Sequence, residues 1–329
     1  MSNNRRLGHH SGEYRCRNLV VEDSLKVANK QISAANTPGR VLYVDRNHNL
    51  GGSSGDGSSW DNAFLTITEA IAAVNADFTG ATKKSRGRNA VIYIAEGWYI
   101  EIPSATDLVL TASDVTIIGV APGNHDQIVL AGSSVAGTLT IGSGFPALTI
   151  KGNNCTVMNI GFFTHDNTEP SLRIGGHSSG STGTSQVTGN KIINCAMVRN
   201  ADDGSAVGIE TSDQDGCLIQ GCLFTTSCKD SGIQIISNGV TNPVNVFIED
   251  CKFIGVPTGI DANAGHNITI RDCVFLDDSS DRPGTLIVPC AGAGASSVAC
   301  YDSFAEGIAE NSFVTGATVN LEGRNTNLD

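Results

Sequence analysis

The chain has 329 residues, a formal net charge of −12 and only 5% aromatic residues. Its length allows one large domain or two ordinary ones, and abundant Gly, Ser, Asn and Thr favour short strands and tight turns over helices. Charge is uneven: residues 1–40 carry seven Lys or Arg and three acids, a net of +4, whereas the rest carries 14 basic and 30 acidic residues, a net of −16. An acidic body disfavours nucleic acid as a partner, and the longest apolar runs are too short to predict membrane insertion.

Residues 1–40 are interpreted as an anchoring arm. Its positive charge is concentrated in Arg5, Arg6, Arg15 and Arg17, and residues 18–33 contain strand-like runs of Val and Leu. The first residues are polar where a signal peptide needs an apolar core, so we expect no export signal. A basic arm before an acidic body suggests attachment to an acidic surface, with an unstructured, solvated tail as the alternative.

Residues 41–88 form a lead-in that opens with YVDRNHNLGGSSGDGSSWDNAF. Four of its side chains occupy positions 1, 3, 5 and 12 of an EF-hand calcium loop: Asp45, Asn47, Asn49 and Asp56. Position 6 is Leu50 where that loop needs Gly, and position 12 is Asp where it needs a bidentate Glu. Turns in which an Asp or Asn side chain accepts a nearby backbone N–H explain the composition without an ion, so we expect no metal.

A short helix follows this loop. Thr66 and Glu69 have the spacing of a capping box at its start. The next residues supply one apolar helix face, made of Ile67, Ala70, Ile71 and Val74. We expect this helix to cover the open end of the structure that follows, with Trp60 and Phe64 seating it.

Residues 150–280 repeat one pattern of alternating apolar residues, a polar pair, a small residue and a large apolar residue. The repeating segments are CTVMNIGFF (155–163), NKIINCAMV (190–198), GCLIQGCLF (216–224), NVFIEDCKF (245–253) and NITIRDCVF (267–275). The small residues are 34, 27, 29 and 22 positions apart. A period in the twenties with insertions is typical of a solenoid, and short alternating strands with Asn, Asp and Gly at the corners favour a parallel β-helix.

Stacked coils would place equivalent side chains in inward columns. The predicted columns contain Cys195, Cys222, Cys251 and Cys273, and Phe163, Phe224, Phe253 and Phe275. Cysteine suits such a column because it is small and commonly buried. Cys217 and Cys222 are five apart, and Cys290 and Cys300 ten apart, which matches no zinc template. Disulfides are the alternative.

Together, these segments resemble the pectate-lyase-like right-handed β-helix superfamily over residues 41–280. In that superfamily an extended strand, a Gly/Ser/Asp-rich loop, a Trp and a short helix precede the first coil. The resemblance implies an all-β, right-handed parallel β-helix with a short N-terminal capping helix and an extended N-terminal arm. We divide the chain into an arm (1–40), a lead-in with the capping helix (41–88), the β-helix (89–290) and a last coil with a closing segment (291–329).

The superfamily includes lyases, hydrolases, epimerases and virion proteins, so the fold does not select a function. Enzymes of this kind hold acids and a base in one groove. The candidate bases are His266, Arg271 and Lys252, and the candidate acids are Asp202, Asp203, Asp213, Asp215, Asp261, Asp277 and Asp278. Of these, Asp202, Asp203, Asp213, Asp215 and His266 are the residues we would assign to such a groove. The polygalacturonase pattern is absent, since no N-T-D or R-I-K occurs, and turn formation explains these acids equally well.

We therefore predict a structural virion protein: a phage capsid decoration, head spike or fibre that is made in the host cytoplasm. Its arm would bind another virion protein, such as the major capsid protein or a portal or tail protein, and its shaft would form a homotrimer and contact host-surface glycans. No cofactor is expected. The alternative is a polysaccharide lyase, a glycoside hydrolase or a glycan-binding module on the same fold.

Overall fold

In a computed structural model, the protein forms two compact units, residues 1–37 and 38–329. The structure describes residues 24–27, 30–33, 40–48, 53–79, 89–101, 108–120, 128–132, 146–164, 169–175, 186–197, 207–226, 228–237, 242–276, 288–291, 298–306, 314–315, 319–322 and 326–328. Strands are numbered β1 to β31 in chain order. In the first unit, β1 (Ser24–Val27) and β2 (Lys30–Ser33) form an antiparallel pair.

The second unit is built from three parallel sheets. Sheet 1 has twelve strands: β3 Val41–Val44, β4 Ala90–Ile94, β7 Val115–Gly119, β10 Thr156–Met158, β13 Val187–Thr188, β14 Lys191–Ile193, β17 Gln214–Asp215, β18 Leu218–Gln220, β21 Val244–Glu249, β24 His266–Arg271, β27 Val298–Tyr301 and β30 Val319–Glu322. Sheet 2 has nine: β5 Gly97–Glu101, β8 Ile128–Gly132, β11 Gly161–Thr164, β15 Ala196–Met197, β19 Leu223–Phe224, β22 Lys252–Ile254, β25 Val274–Leu276, β28 Phe304–Glu306 and β31 Thr326–Leu328.

Sheet 3 has eight strands: β6 Val109–Leu110, β9 Leu148–Ile150, β12 Leu172–Ile174, β16 Val207–Ser212, β20 Ser231–Ile236, β23 Thr258–Ala262, β26 Val288–Ala291 and β29 Val314–Thr315. Each strand pairs with the equivalent strand of the next coil, so the three sheets wind around one core. The predicted right-handed parallel β-helix is confirmed, and the predicted lead-in helix is present as α1 (Ile67–Thr79).

Helix α1 begins with the predicted capping box. The Glu69 backbone N–H donates to Thr66 Oγ1 at 3.2 Å, and the Thr66 N–H donates to Glu69 Oε2 at 3.1 Å. Its predicted apolar face is fully buried and joins the core with strand residues such as Leu42 and Leu110. Asn75 fixes the helix to β6, because its Nδ2 donates to the Val109 carbonyl at 2.7 Å. The helix therefore covers core side chains of the first coils.

Trp60 does not seat this helix as expected. It lies in a short 3₁₀ turn, Trp60–Asn62, and is 40% exposed. Its ring contacts Tyr43 edge-on, with centroids 4.8 Å apart, on the outward side of β3. Phe64, by contrast, is partly buried against the core and pairs with Val44. The strand period of two explains the difference, since Tyr43 alternates with the buried Leu42 and Val44 and so faces outward.

The cysteine column occupies the corner between sheets 1 and 2. Strand register aligns Ile160, Cys195, Cys222, Cys251, Cys273 and Ser303 in successive coils. Each of these thiols donates to the carbonyl two residues earlier, as Cys195 does to Ile193 at 3.4 Å and Cys251 does to Glu249 at 3.3 Å. Ser303 Oγ makes the equivalent bond to Tyr301 at 3.0 Å. Five of the six residues in this column are therefore small side chains that donate a hydrogen bond at the corner, and Ile160 is the exception. The eight cysteines whose side chains the structure describes are buried free thiols.

The aromatic column differs by one residue from the sequence prediction. Register aligns Phe162 with Met197, so Phe162 and not Phe163 belongs with Phe224, Phe253 and Phe275. The prediction matched Gly161 to the cysteines, whereas the corner residue in that coil is the larger Ile160. Phe253 stacks on both neighbouring rings at 4.7 Å with 7° between planes. Inward phenylalanines on successive parallel strands thus form a continuous stack.

Asn, Asp and Gly at the corners have a conformational reason. Residues at or just before the starts of the sheet 1 strands align as one column with φ between 54° and 71°: Asn89, Asp114, Asn154, Gly189, Gly216, Asn245 and Asn267. A second column follows the same strands, with Asn159, Asn194, Gly221, Asp250, Asp272 and Asp302. This left-handed backbone region is costly for most residues but accessible to these three. The acids at these corners therefore shape the turns.

Candidate functional site

The outer face of sheet 3 carries a row of polar side chains. Register aligns one outward position in five successive coils as Thr149, Arg173, Glu210, Gln234 and Asp261. The residues beside them along each strand, such as Leu172 and Ile174, are buried in the core. We call these five residues the polar stripe. Their side chains are close together because neighbouring parallel strands are about 4.8 Å apart.

Arg173 is the centre of the polar stripe. Its Nε donates to Glu210 Oε1 at 2.6 Å in the next coil, and its Nη2 donates to Glu169 Oε2 at 2.8 Å. The Arg173 and Glu210 side chains are 10% and 8% exposed. Burial by itself lowers the pKa of Arg173, but the hydrogen bond and charge of Glu210, followed by those of Glu169, outweigh it and raise the pKa. One guanidinium thus balances two carboxylates, which leaves the trio with a net negative charge.

Gln234 and Asp261 of the polar stripe are hydrogen-bonded to each other. Gln234 Nε2 donates to Asp261 Oδ2 at 3.3 Å, and Asn263 Nδ2 donates to the same oxygen at 2.6 Å. Gln234 and Asp261 are half-buried, whereas Asn263 is exposed. This half of the stripe presents amide and carboxylate groups to its surroundings. Such groups can accept and donate hydrogen bonds to hydroxyl-rich ligands.

The candidates from the sequence do not form one catalytic group. Asp202 and Asp203 lie outside the described residues. Asp213 is buried with φ of 51°. Asp215 accepts a hydrogen bond from Asn245 Nδ2 at 2.9 Å. His266 is exposed and shares a register column with Asp215, but Val244 of the intervening coil separates them. Their backbones are therefore about 10 Å apart.

The other sequence candidates have structural surroundings as well. Asp45 accepts the Asn47 backbone N–H at 2.8 Å, and Asp56 accepts that of Ser58 at 2.9 Å, so both are in the expected Asx turns. Hydrogen bonds from Ser58 hold the pKa of Asp56 below its ordinary value. The described residues contain no group of three or more His, Cys, Asp or Glu side chains that could hold a metal ion. Asn49 and the arm arginines, Arg5, Arg6, Arg15 and Arg17, lie outside them.

The sequence interpretation included Asp261 but missed Arg173 and Glu210. Arg173 lies in β12 (LRI) and Glu210 lies in β16 (VGIETS), two short strands of ordinary composition. A charged residue between two apolar ones is the usual outward position of a strand. The distinguishing feature is the register, which places opposite charges in neighbouring coils although they are 37 residues apart in sequence.

Among the residues that the structure describes, no helix is long and apolar enough to span a membrane.

No protein-family model matches the chain, and no curated protein matches it by sequence. Among solved structures, pectate lyase Pel9A is 12% identical with a TM-score of 0.50, over 87% of this chain and 78% of that one. An alginate lyase from Paenibacillus sp. str. FPU-7 is 14% identical with a TM-score of 0.48, over 78% and 93% of the two chains. The ORF18 protein of Geobacillus virus E2 is 12% identical with a TM-score of 0.48, over 87% of this chain and 60% of that one. At such identity the likeness to Pel9A shows the fold alone, a right-handed parallel β-helix.

Proposed function

We propose that this chain is a structural protein of a virus particle: a capsid decoration, head spike or fibre. Its basic arm attaches it to another virion protein, and its β-helix serves assembly or host attachment. The observation that carries this proposal is that its acidic side chains have a structural role. Asp215 accepts from Asn245, Glu210 from Arg173, and each bond joins one coil to the next. These carboxylates thus hold a solenoid together, as a rod-forming protein requires.

The division of charge supports the same proposal. A net of +4 in residues 1–40 precedes a net of −16 in the remainder. The positively charged segment is attracted to an acidic surface on a partner, whereas the acidic body of this chain is repelled by that surface. The partner we propose is an acidic surface on the major capsid protein or on a portal or tail protein. The assembled form is a homotrimer in the virion, and no nucleic acid takes part.

The test is incorporation into particles. A full-length chain and a variant without residues 1–37, which keeps the second unit whole, are each expressed together with the capsid and tail proteins of the same genome. The particles are purified by sedimentation. We expect the truncated chain to remain folded and soluble but to be missing from the particles. Particles that retain the truncated chain at the full-length level would remove the arm from its proposed role.

A charge-matched comparison makes this test sharper. Changing Arg5, Arg6, Arg15 and Arg17 to Ala removes four positive charges from the arm without shortening it. Changing Lys83, Lys84, Arg86 and Arg88 to Ala removes the same charge from the lead-in. We expect the first variant to lose most of its incorporation and the second to keep it. Equal losses in both variants would indicate a general charge effect.

The second candidate is a polysaccharide-active or glycan-binding protein, and the polar stripe is the observation that favours it. Arg173, Glu210 and Asp261 place charged groups in one row on an outer face, as a groove for a sugar chain would. Incubation with acidic polysaccharides would then release reducing ends or unsaturated products. Glu210→Gln, and Asp202→Asn with Asp203→Asn, would abolish that release.

A further inference from the structure

The outer face of sheet 1 carries an apolar stripe that the core does not use. Register places Tyr43, Tyr93, Ile118, Met158 and Ile193 at one outward position in five successive coils. All five side chains are half-buried. Tyr43 and Tyr93 are in ring contact at 5.8 Å, and Trp60 extends the row beyond Tyr43. We call these five residues, with Trp60, the apolar stripe.

The later coils show that the fold does not require apolar residues at this position. The same column continues as Gln220, Glu249 and Arg271, and the Arg271 and Glu249 side chains form an ion pair at 2.9 Å. These coils keep the same buried positions on the inner face, such as Ile219 and Ile248. Equivalent outward positions therefore tolerate polar and charged side chains. The apolar half needs another cause, and exposed apolar patches rimmed by polar residues are typical of interaction surfaces.

The charge around the apolar stripe indicates that a second copy of this chain binds there. Beside the apolar stripe, the second outward column of the same strands contains Val41, Val91, Thr116, Thr156 and Lys191, which include no acid. Residues 41–329 nevertheless carry a net charge of −16. Two copies of this acidic unit repel each other over most of their surfaces. They can approach with little repulsion where both present this acid-free face.

We propose that the apolar stripe is the face by which copies of this chain pack lengthwise against one another. The five strands are adjacent in sheet 1, so the stripe crosses them in a line about 19 Å long. A straight row of side chains fits the same row on a second copy. Rotation about an axis parallel to the row brings each residue opposite its own counterpart. This inference rests on the self-assembly in the proposed function and names the face that forms it. It is tested on the purified chain, so its failure is distinguishable from a failure of the arm-truncation experiment.

The experiment measures the mass of the purified full-length chain by size exclusion with light scattering. Ile118→Lys with Met158→Lys places two positive charges in the apolar stripe. Gln220→Lys with Thr269→Lys places the same charges on the polar half of the same outer face. We expect an oligomer for the unmodified chain and for the control, and a monomer for the stripe variant. A monomeric unmodified chain, which is also the result if another protein or a glycan covers the stripe, overturns the proposal, as does a stripe variant that stays oligomeric.

A crosslinking experiment keeps the test decisive if the double-lysine variant fails to fold. In a chain with Cys16→Ser and Cys290→Ser, Met158→Cys puts one thiol in the apolar stripe and Thr269→Cys puts one outside it. A short bifunctional maleimide should then link Met158→Cys chains into covalent dimers and leave Thr269→Cys chains unlinked. Equal crosslinking of the two variants, or none in either, contradicts the proposed face.

Discussion

Arg173 and Glu210 are 37 residues apart in sequence but stand side by side on neighbouring coils, with Nε and Oε1 2.6 Å apart. Register pairs these two residues directly, so their side chains extend from adjacent strands in the same direction. Both are largely buried, although they lie on the outer face of sheet 3. An ion pair that is removed from water is sensitive to the loss of one partner, because the other charge is then left buried and unpaired.

Arg173→Ala should therefore strongly destabilise the β-helix. Loss of one partner of a buried ion pair typically costs about 3 to 5 kcal/mol. The measurement is the free energy of unfolding from urea titration followed by circular dichroism. Arg173→Met with Glu210→Leu should recover much of the loss, because the double change leaves no buried charge.

Arg271 provides the matched control for this prediction. Like Arg173, it forms an ion pair with a glutamate in the neighbouring coil, since its Nη2 donates to Glu249 Oε1 at 2.9 Å. Its side chain, however, is 51% exposed. Exposed ion pairs contribute about 0 to 1 kcal/mol, so Arg271→Ala should change the unfolding midpoint little. Similar losses for the two arginine variants would mean that burial does not set the cost.

Any side chain at Gly232 is predicted to lower stability, because an aromatic ring occupies the space beside this residue. A Cβ at this position would lie 2.7 Å from Phe253 Cδ1 and 2.8 Å from the Gly259 carbonyl oxygen. Gly232→Ala should destabilise by about 1 to 3 kcal/mol, the usual cost of overpacking a core. Adding Phe253→Leu should restore part of that loss by removing the contact with the ring. A Gly232→Ala chain as stable as the unmodified one would show that the coil adjusts without cost.

Much of the fold could be predicted from the sequence because a solenoid repeats its local rules. The corner Asn and Gly, the inward Cys and Phe, and the Thr66–Glu69 capping box each depend on a few neighbouring residues. The one-residue error at Phe163 arose where Ile160 replaces the corner cysteine, since the alignment relied on finding a small residue there. Trp60 was misassigned because its partner Tyr43 faces outward, and sequence alone does not give the side of the strand on which a distant ring lies.

The surface sites were less predictable than the core. Asp213 and Asp215 are close in sequence and suggest a catalytic pair, yet Asp213 has the positive φ of a corner residue and Asp215 accepts a hydrogen bond from Asn245. Arg173 and Glu210 meet only through the register of coils that have insertions of different length between them. Coil-to-coil register determines which outward residues are neighbours. Inward columns could be inferred from their composition, whereas outward columns change from apolar to polar between coils and their neighbours become clear only from the register.

Removing the capping box of helix α1 is predicted to cause a moderate loss of stability. Thr66→Ala removes the acceptor for the Glu69 N–H and one partner of the Glu69 carboxylate. Loss of such a cap costs about 1 kcal/mol. We expect Thr66→Ala to lower the unfolding midpoint and Thr66→Ser to preserve it, as measured by thermal denaturation. Equal midpoints for Ala and Ser would mean that the hydroxyl contributes nothing to helix α1.

The buried thiols should make stability depend on alkaline pH. Burial raises the pKa of Cys217 to about 12, and burial, as the largest cause, raises that of Cys155 to about 11, from an ordinary 9.0. Above about pH 9 these thiols ionise in the unfolded chain but stay protonated in the folded one. The unfolded state then binds fewer protons, so the free energy of unfolding falls as pH rises.

Cys217→Val tests this effect at one position. Val246 fills the same column in the next coil, so valine suits the site and cannot ionise. Between pH 9 and 11, the unmodified chain should lose stability faster than Cys217→Val, by up to about 1.4 kcal/mol per pH unit. Urea unfolding at a series of pH values measures both slopes, while the titration of Tyr and Lys is common to the two chains. Parallel slopes would show that Cys217 does not differ in protonation between the folded and unfolded states.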